Sequence, residues 1–136
     1  MARQSWLLHR NRPNVEIWLR EPFTGFTSRR VLLADTGGGA RFFPVEIILS
    51  QSDIRQFGVE QDIGTVGMGG AIQGEYSVFT VQIEIPTLNL MRRFNAVGVA
   101  APFIFPGFDG FALFPFLNAF TYGNFGNPAE FGLELN

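Results

Sequence analysis

Val31-Leu32-Leu33-Ala34-Asp35-Thr36-Gly37 is the stretch of this sequence that decides the fold. An apolar run leads directly into an aspartate, which predicts a buried strand that ends on a carboxylate. The threonine hydroxyl can form a hydrogen bond near that carboxylate, and the glycine lets a second backbone approach closely. A rigid strand that delivers an acid, a hydroxyl and a glycine is an arrangement suited to catalysis.

Further strands are predicted on both sides of this stretch, over residues 15–19, 45–49 and 94–99. The clearest strand is 76–85, where polar and apolar residues alternate from Val78 onward. Alternation with a period of two is typical of a strand that buries one face. The sequence therefore predicts a chain dominated by strands.

Two short helices are predicted as well. Ser50 or Ser52 can cap one helical turn over residues 53–57, which Gly58 would end. A second short helix is expected within residues 111–120, where Pro115 is tolerable only in the first turn.

A cluster of glycines lies between the predicted strands, at Gly64, Gly67, Gly69, Gly70 and Gly74. Glycine gives the backbone freedom for tight turns and for motion. The cluster predicts a mobile hairpin tip, and an ordinary glycine-rich loop is the alternative.

Composition limits the possible functions. The chain has 136 residues, 46% of them hydrophobic, and its length fits one domain. A net charge of -2, with ten arginines and no lysine, provides no broad basic surface, so nucleic acid is not expected as a partner. With no cysteine and a single histidine, we expect no zinc site, disulfide or thiol nucleophile.

No membrane segment and no separate linker are evident in the sequence. The longest uncharged apolar stretch, residues 96–108, contains two prolines and is shorter than the roughly 20 residues of a spanning helix. We expect a cytoplasmic protein that does not associate with membranes. Residues 1–14 are polar and rich in arginine, which predicts a loose N-terminal arm, and residues 15–136 are expected to form a single domain.

The chain resembles the retropepsin-like aspartic peptidases, the group that contains the retroviral proteases and small bacterial and eukaryotic relatives. The resemblance spans roughly residues 31–125. It is carried by the Asp-Thr-Gly stretch, by Gly67-Met68-Gly69-Gly70-Ala71 with Gly74, by the alternating strand that follows, and by residues 114–120. It implies an all-β, retropepsin-like domain: a closed acid-protease barrel with a flap hairpin and one or two short helices.

The resemblance also implies an activity, that of an aspartic endopeptidase acting on peptides or proteins. In this group a homodimer places two copies of the aspartate, here Asp35, side by side. Thr36 and Gly37 would support the active-site loop, and Gly67, Met68, Gly69, Gly70 and Ala71 would form the flap over the substrate. No metal or cofactor is implied.

The sequence departs from the family pattern at two positions. The family usually has two apolar residues and a glycine before a short helix. The best alignment puts Leu113 at that glycine, in Phe111-Ala112-Leu113, while the alternative, Phe108-Asp109-Gly110, supplies the glycine but interrupts the apolar pair. A leucine side chain has the bulk to shift the Asp35 loop. Gly38 stands where alanine or serine is commoner, and Gly37-Gly38-Gly39 predicts a loose loop.

Several alternative interpretations remain open at this stage. Asp35 can be an ordinary turn aspartate, and the chain can be an inactive peptidase-like domain for peptide binding or dimerisation, or an unrelated glycine-rich β-barrel that binds small ligands. The other aspartates, at positions 53, 62 and 109, lack a following Thr-Gly, and Asp109 is expected to be a loop residue. Arg29 and Arg30 are expected at a solvated strand end. A run of six phenylalanines is expected mainly in the core, at positions 103, 105, 108, 111, 114 and 116.

Overall fold

Strands dominate the fold, as the sequence predicts. In the computed structural model, which describes residues 2–136 apart from the side chains of residues 62 and 63, 53% of residues lie in strands and both helices are short. The elements follow one another as β1 (Arg3–Leu7), β2 (Asn14–Arg20), β3 (Thr27–Asp35), β4 (Ile47–Ser50), α1 (Gln51–Phe57), β5 (Val59–Met68), β6 (Gly74–Ile85), β7 (Leu90–Val99), β8 (Gly110–Leu113), α2 (Phe114–Leu117), β9 (Phe120–Gly123) and β10 (Glu130–Leu135). Single turns of 3₁₀ helix occur at Gly70–Ile72, Pro86–Leu88 and Ala101–Phe103.

Seven strands form one sheet in the order β2-β3-β8-β4-β7-β6-β5. Strand β2 also pairs with β6, through Trp18 and Glu84 and the two following residue pairs. Within the described residues, β2, β3, β8, β4, β7 and β6 therefore form a ring of six strands in which the pairing returns from β6 to β2. Two neighbouring pairs are parallel, β3 with β8 and β4 with β7, and the other pairs are antiparallel.

The strand that carries Asp35, β3, has a neighbouring strand on each side. Strand β3 pairs with β2 along one edge and with β8 along the other. The parallel register with β8 begins with Leu32 opposite Gly110 and ends with Asp35 opposite Leu113. The position of the carboxylate is therefore set by main-chain hydrogen bonds on both sides of its strand.

Two apolar clusters fill the space between the strands. Successive residues of β4 point to opposite faces, so Ile47 and Leu49 enter a large cluster while Ile48 enters a smaller one. The large cluster also contains Phe94 and Phe116, whose ring centroids are 4.8 Å apart. The members of the small cluster are Val45, Ile48, Val78, Val97, Val99 and Leu113.

Both predicted helices occur, although α1 begins at Gln51, two residues before the predicted start. The hydroxyl of Ser50 accepts a hydrogen bond of 3.1 Å from the Asp53 amide and so caps α1, and the Gly58 amide closes the helix on the Ile54 carbonyl at 2.8 Å. Pro115 lies in the first turn of α2, where its missing amide proton costs nothing. Among the described residues, neither helix has the length and apolar character needed to cross a membrane.

The N-terminal residues are not the loose arm that we expected. Residues 3–7 form β1, which pairs antiparallel with β10, and Trp6 is buried in the large cluster. The Asn14 side chain donates a 2.8 Å hydrogen bond to the Leu7 carbonyl and ties β1 to the start of β2. The prediction was wrong because one large aromatic side chain and a partner strand distant in sequence are enough to order this segment. Met1 lies outside the described residues.

A buried ion pair joins α1 to β3. The Arg30 guanidinium donates two hydrogen bonds to the Asp53 carboxylate, of 2.8 and 2.9 Å, and the two side chains are only 19% and 12% exposed. The hydrogen bond to Asp53 raises the pKa of Arg30 above its ordinary value. The expectation that Arg30 is solvated was therefore wrong, whereas its neighbour Arg29 forms an exposed pair with Glu16.

We predict that Asp53→Asn lowers the free energy of unfolding by about 2 to 3 kcal/mol, because it leaves the Arg30 charge in a largely buried place without its partner. Urea unfolding at neutral pH measures this difference. Glu16→Gln, which breaks the exposed pair with Arg29, is the matched control and should change stability by less than about 1 kcal/mol. Equal effects of the two substitutions would contradict the prediction.

Candidate active site

Asp35 stands at the point where β3 ends and a tight turn begins. Its carbonyl accepts a 3.1 Å hydrogen bond from the Gly38 amide, which closes the turn. Asp35 is half-buried, and Thr36 and Gly37 beside it are exposed. The strand holds the carboxylate while the next two residues face solvent.

The glycine-rich segment forms the tip of a hairpin between β5 and β6. Met68 pairs with Gly74 at the end of the ladder, and one turn of 3₁₀ helix, Gly70–Ile72, closes the tip. The Tyr76 hydroxyl donates a 2.6 Å hydrogen bond to the Ile72 carbonyl, which connects the tip to the strand. Gly70 has a φ of +68°, a conformation that favours glycine.

The hairpin tip and Asp35 line one cavity of about 450 Å³. All five residues that the sequence assigned to a flap are part of its wall, namely Gly67, Met68, Gly69, Gly70 and Ala71. The other lining residues are Gly38, Gly39, Phe43, Ile48, Ile72, Phe103, Phe111 and Leu113. The structure thus brings together two segments that lie more than thirty residues apart in the sequence. Thr36 and Gly37 lie beside this cavity rather than among its lining residues.

Asp35 is the one ionisable side chain among the residues that line this cavity. The rest of the lining consists of glycines and of alanine, isoleucine, leucine, methionine and phenylalanine side chains. A carboxylate in a mainly apolar cleft is suited to proton transfer with a bound molecule. Within the part of the chain that the structure describes, no group of three or more potential metal-binding side chains occurs.

Leu113 is one of the two residues that depart from the pattern of the retropepsin-like family that the chain resembles. It is 3% exposed and lies directly opposite Asp35. Its amide donates to the Glu46 carbonyl at 2.9 Å, and the amide of the next residue, Phe114, donates to the Gly38 carbonyl at 2.9 Å. The leucine side chain occupies space next to Gly38 that a larger residue 38 would need. The two departures from the family pattern therefore lie in contact with each other.

Five large side chains of the cavity were not assigned to the site from the sequence: Phe43, Ile48, Ile72, Phe103 and Phe111. Ile48 lies in a predicted strand and Phe111 lies in β8, where the sequence predicted part of a helix, and both residues were expected only in the core. Phe103 is 49% exposed and Phe111 is half-buried, whereas Phe108 and Phe116 are in the core, so the six phenylalanines divide between the two environments. Phe103 lies among prolines and a glycine, and this loop-like surrounding was the one sequence signal that it is exposed rather than in the core.

Two of the other three aspartates, Asp53 and Asp109, do not belong to this site. Asp53 pairs with Arg30, and Asp109 lies at the opposite end of the β3–β8 pairing from Asp35. The Asp109 carboxylate accepts a 2.8 Å hydrogen bond from the Val31 amide, and its own amide donates to the Val31 carbonyl at 2.8 Å. Asp109 is therefore structural. The side chain of Asp62 lies outside the described residues.

No family model matches the chain, and no curated protein shows significant similarity to it.

A second carboxyl group belongs to Glu46, the residue before β4, whose backbone carbonyl accepts the hydrogen bond from Leu113. One oxygen of Glu46 is buried without a hydrogen-bond partner among the described residues. Burial raises the pKa of Glu46, while Arg92 and the backbone of Asn95 offset part of this rise. Because the pKa is raised in the folded chain, proton binding to Glu46 favours folding below its pKa in the unfolded chain, and this contribution is lost as the pH rises through the raised value.

We predict that Glu46→Gln stabilises the folded chain at about pH 7 and has little effect below about pH 4, because the substitution removes a buried charge that exists only at the higher pH. Urea unfolding of both proteins across this range gives the difference in free energy. The control is Glu60→Gln on the exposed surface of β5, which should show no such dependence. A Glu46→Gln protein that is equally or less stable at neutral pH would contradict the prediction.

Proposed function

We propose that this chain is a retropepsin-like aspartic endopeptidase that works as a homodimer. The observation that carries the proposal is that Asp35, at the end of a buried strand, shares one cavity with the glycine-rich tip of the β5–β6 hairpin. This is the arrangement that the resemblance implies, in which a flap covers a cleft with the catalytic aspartate at its floor. The substrate is a peptide or a segment of a protein chain.

The overall architecture supports the same proposal. The return of strand pairing from β6 to β2 is consistent with a closed, barrel-like domain of the retropepsin type. The turn that begins at Asp35 and the hairpin tip lie on the same side of this ring, since Asp35, Gly38 and the tip line one cavity. An extended peptide can bind between them, with main-chain groups of the hairpin available for pairing.

The chemistry needs a second carboxyl group, which a partner subunit supplies. Two carboxyl groups about 3 Å apart cannot both ionise, so they share one proton and titrate as a unit. The ionised group takes a proton from a bound water as the water oxygen attacks the carbonyl carbon of the substrate. The protonated group donates its proton to the carbonyl oxygen, and a tetrahedral diol forms. Proton transfer to the amide nitrogen and cleavage of the carbon–nitrogen bond complete hydrolysis.

Several features favour a dimer as the source of the second carboxylate. The chain contains one Asp-Thr-Gly sequence, and Asp53 and Asp109 have structural partners. Thr36 is exposed, and its side chain forms no hydrogen bond with any residue that the structure describes. A two-fold axis beside this turn would bring both the aspartates and the threonine hydroxyls of two subunits together.

The two alternatives to a peptidase make different demands on the same cavity. An inactive peptidase-like domain would bind peptide there, and its specific support is Leu113 at the position of the usual glycine. A ligand-binding barrel would use the apolar lining alone and would not need Asp35. Cleavage assays and binding assays on the same variants separate the three functions.

We predict that the purified chain cleaves members of a peptide library between about pH 4 and 7, and that Asp35→Asn lowers the rate by at least about 1,000-fold, because the amide cannot serve as the general base. Product formation is followed by mass spectrometry. Glu60→Gln, which neutralises an exposed carboxylate outside the cavity, should leave cleavage unchanged.

The same assay can refute the peptidase assignment. Equal cleavage by the wild type and Asp35→Asn proteins would mean that Asp35 is not the catalytic group. Tight peptide binding without cleavage by either protein would favour the inactive alternative. Binding of a small apolar ligand that is unaffected by Asp35→Asn, again without cleavage, would favour a ligand-binding barrel.

We also predict that the chain sediments as a dimer at micromolar concentration and that Thr36→Val weakens this dimer by about tenfold or more, since a buried hydroxyl pair would lose its hydrogen bonds. Analytical ultracentrifugation over a concentration series measures the dissociation constant. Thr65→Val, at an exposed position of β5, is the matched control. A monomer at all concentrations would rule out the dimeric mechanism.

A further inference from the structure

We propose that Leu113 is a positioning residue for Asp35, and that glycine at position 38 is the condition that allows it to act. In this arrangement the Leu113 side chain packs against the turn of residues 35–38 and restricts where the Asp35 carboxylate can lie. The inference rests on the proposed peptidase function. It concerns the pair of residues at which the chain differs from the pattern of the family that it resembles.

The backbone brings the two residues together. Leu113 is the register partner of Asp35 in the parallel pairing of β8 with β3. The Gly38 amide donates a hydrogen bond to the Asp35 carbonyl, and the Gly38 carbonyl accepts one from the Phe114 amide. Gly38 is therefore hydrogen-bonded to the last residue of β3 and to the first residue after β8. Any change in the space between Leu113 and Gly38 therefore acts directly on the turn that carries Asp35.

The space at Gly38 is already occupied. A Cβ atom built on Gly38 would lie 2.6 Å from Cδ2 of Leu113 and 2.9 Å from Oδ2 of Asp35. Both distances are shorter than a van der Waals contact, so the leucine methyl group and the carboxylate oxygen border the same small volume. The Leu113 methyl group fills the place that the side chain of a larger residue 38 would take.

The requirement for glycine at this position is one of space and not of backbone conformation. Gly39, its neighbour, has a φ of +85°, in the region that favours glycine. The φ of Gly38 is not positive, so the φ angle at this position does not itself require glycine. The contact with Leu113 and Asp35 is what excludes a side chain.

Leu113 is itself held firmly enough to act as a support. It is 3% exposed and belongs to the small apolar cluster, where Val45, Ile48 and Val97 surround the same region of the sheet. A leucine in a packed cluster occupies a rotamer minimum, so its terminal methyl group has a preferred position. The cluster thus reaches the carboxylate through this one side chain.

A double-mutant cycle tests the proposal, using Gly38→Ala, Leu113→Ala and the double variant with a cleavable peptide. Each single substitution should lower kcat by about 10- to 100-fold, because it displaces the Asp35 carboxylate from its reacting position. In the double variant, the methyl group of the alanine at position 38 can occupy the space that the Leu113 side chain no longer fills. The kcat of the double variant should be at least about tenfold higher than the value expected if the two single substitutions acted independently.

Two further measurements separate positioning from loss of stability. Leu19→Ala, which truncates a fully buried leucine in the large cluster, should lower the melting temperature but leave kcat of the folded protein unchanged. The carbon-13 chemical shift of the Asp35 carboxyl group, recorded without substrate, should move in each single variant. It should return toward the wild-type value in the double variant.

The outcomes distinguish this proposal from the proposed function. Equal cleavage by the wild type and Asp35→Asn proteins would remove the peptidase function, and the carboxyl chemical shifts would still decide whether Leu113 positions Asp35. An active wild type in which the two substitutions act independently, or in which Gly38→Ala is fully active, would overturn the positioning role alone. A loss of kcat in Leu19→Ala as large as that in Leu113→Ala would also overturn it.

Discussion

The parallel pairing of β3 with β8 is the constraint on which the rest of this structure depends. It sets Asp35 opposite Leu113 and places Asp109 at the other end of the same two strands. Strand β8 also pairs with β4, and a Cβ atom on Gly110 would collide with the Ile48 carbonyl, so the three strands can approach only because residue 110 is glycine. The small apolar cluster then forms on one side of these strands, next to the cavity.

The features that the sequence predicts well are those with a local physical cause. The alternation from Val78 onward determines which face of β6 is buried, and the structure buries Val81, Ile83 and Ile85 together. The Ser50 cap and Gly58 determine the ends of α1 within two residues. The apolar run before Asp35 predicts a strand that ends on the carboxylate, and β3 ends at that residue. Near the candidate site, local patterns predicted a strand that ends at Asp35 and a glycine-rich hairpin tip, and the structure contains both.

The features that the sequence does not predict depend on contacts between distant segments. Strand β1 has only Trp6 as a buried residue, so it shows no alternation, and its order comes from pairing with β10 at the other end of the chain. The Arg30–Asp53 pair joins residues on different elements, each of which looks like a surface residue by composition. Phe103 lines the cavity from a turn of 3₁₀ helix, and Ile48 lines it from β4. No spacing in the sequence relates these two residues.

Gly38 and Leu113 have a consequence for how sequences of this kind are compared. Scored one position at a time against the pattern of the family that the chain resembles, each residue counts as a separate difference. In the structure the two residues share one space, since the leucine methyl group lies where a side chain at residue 38 would need to be. A comparison that treats positions independently therefore counts twice a single packing arrangement beside the carboxylate.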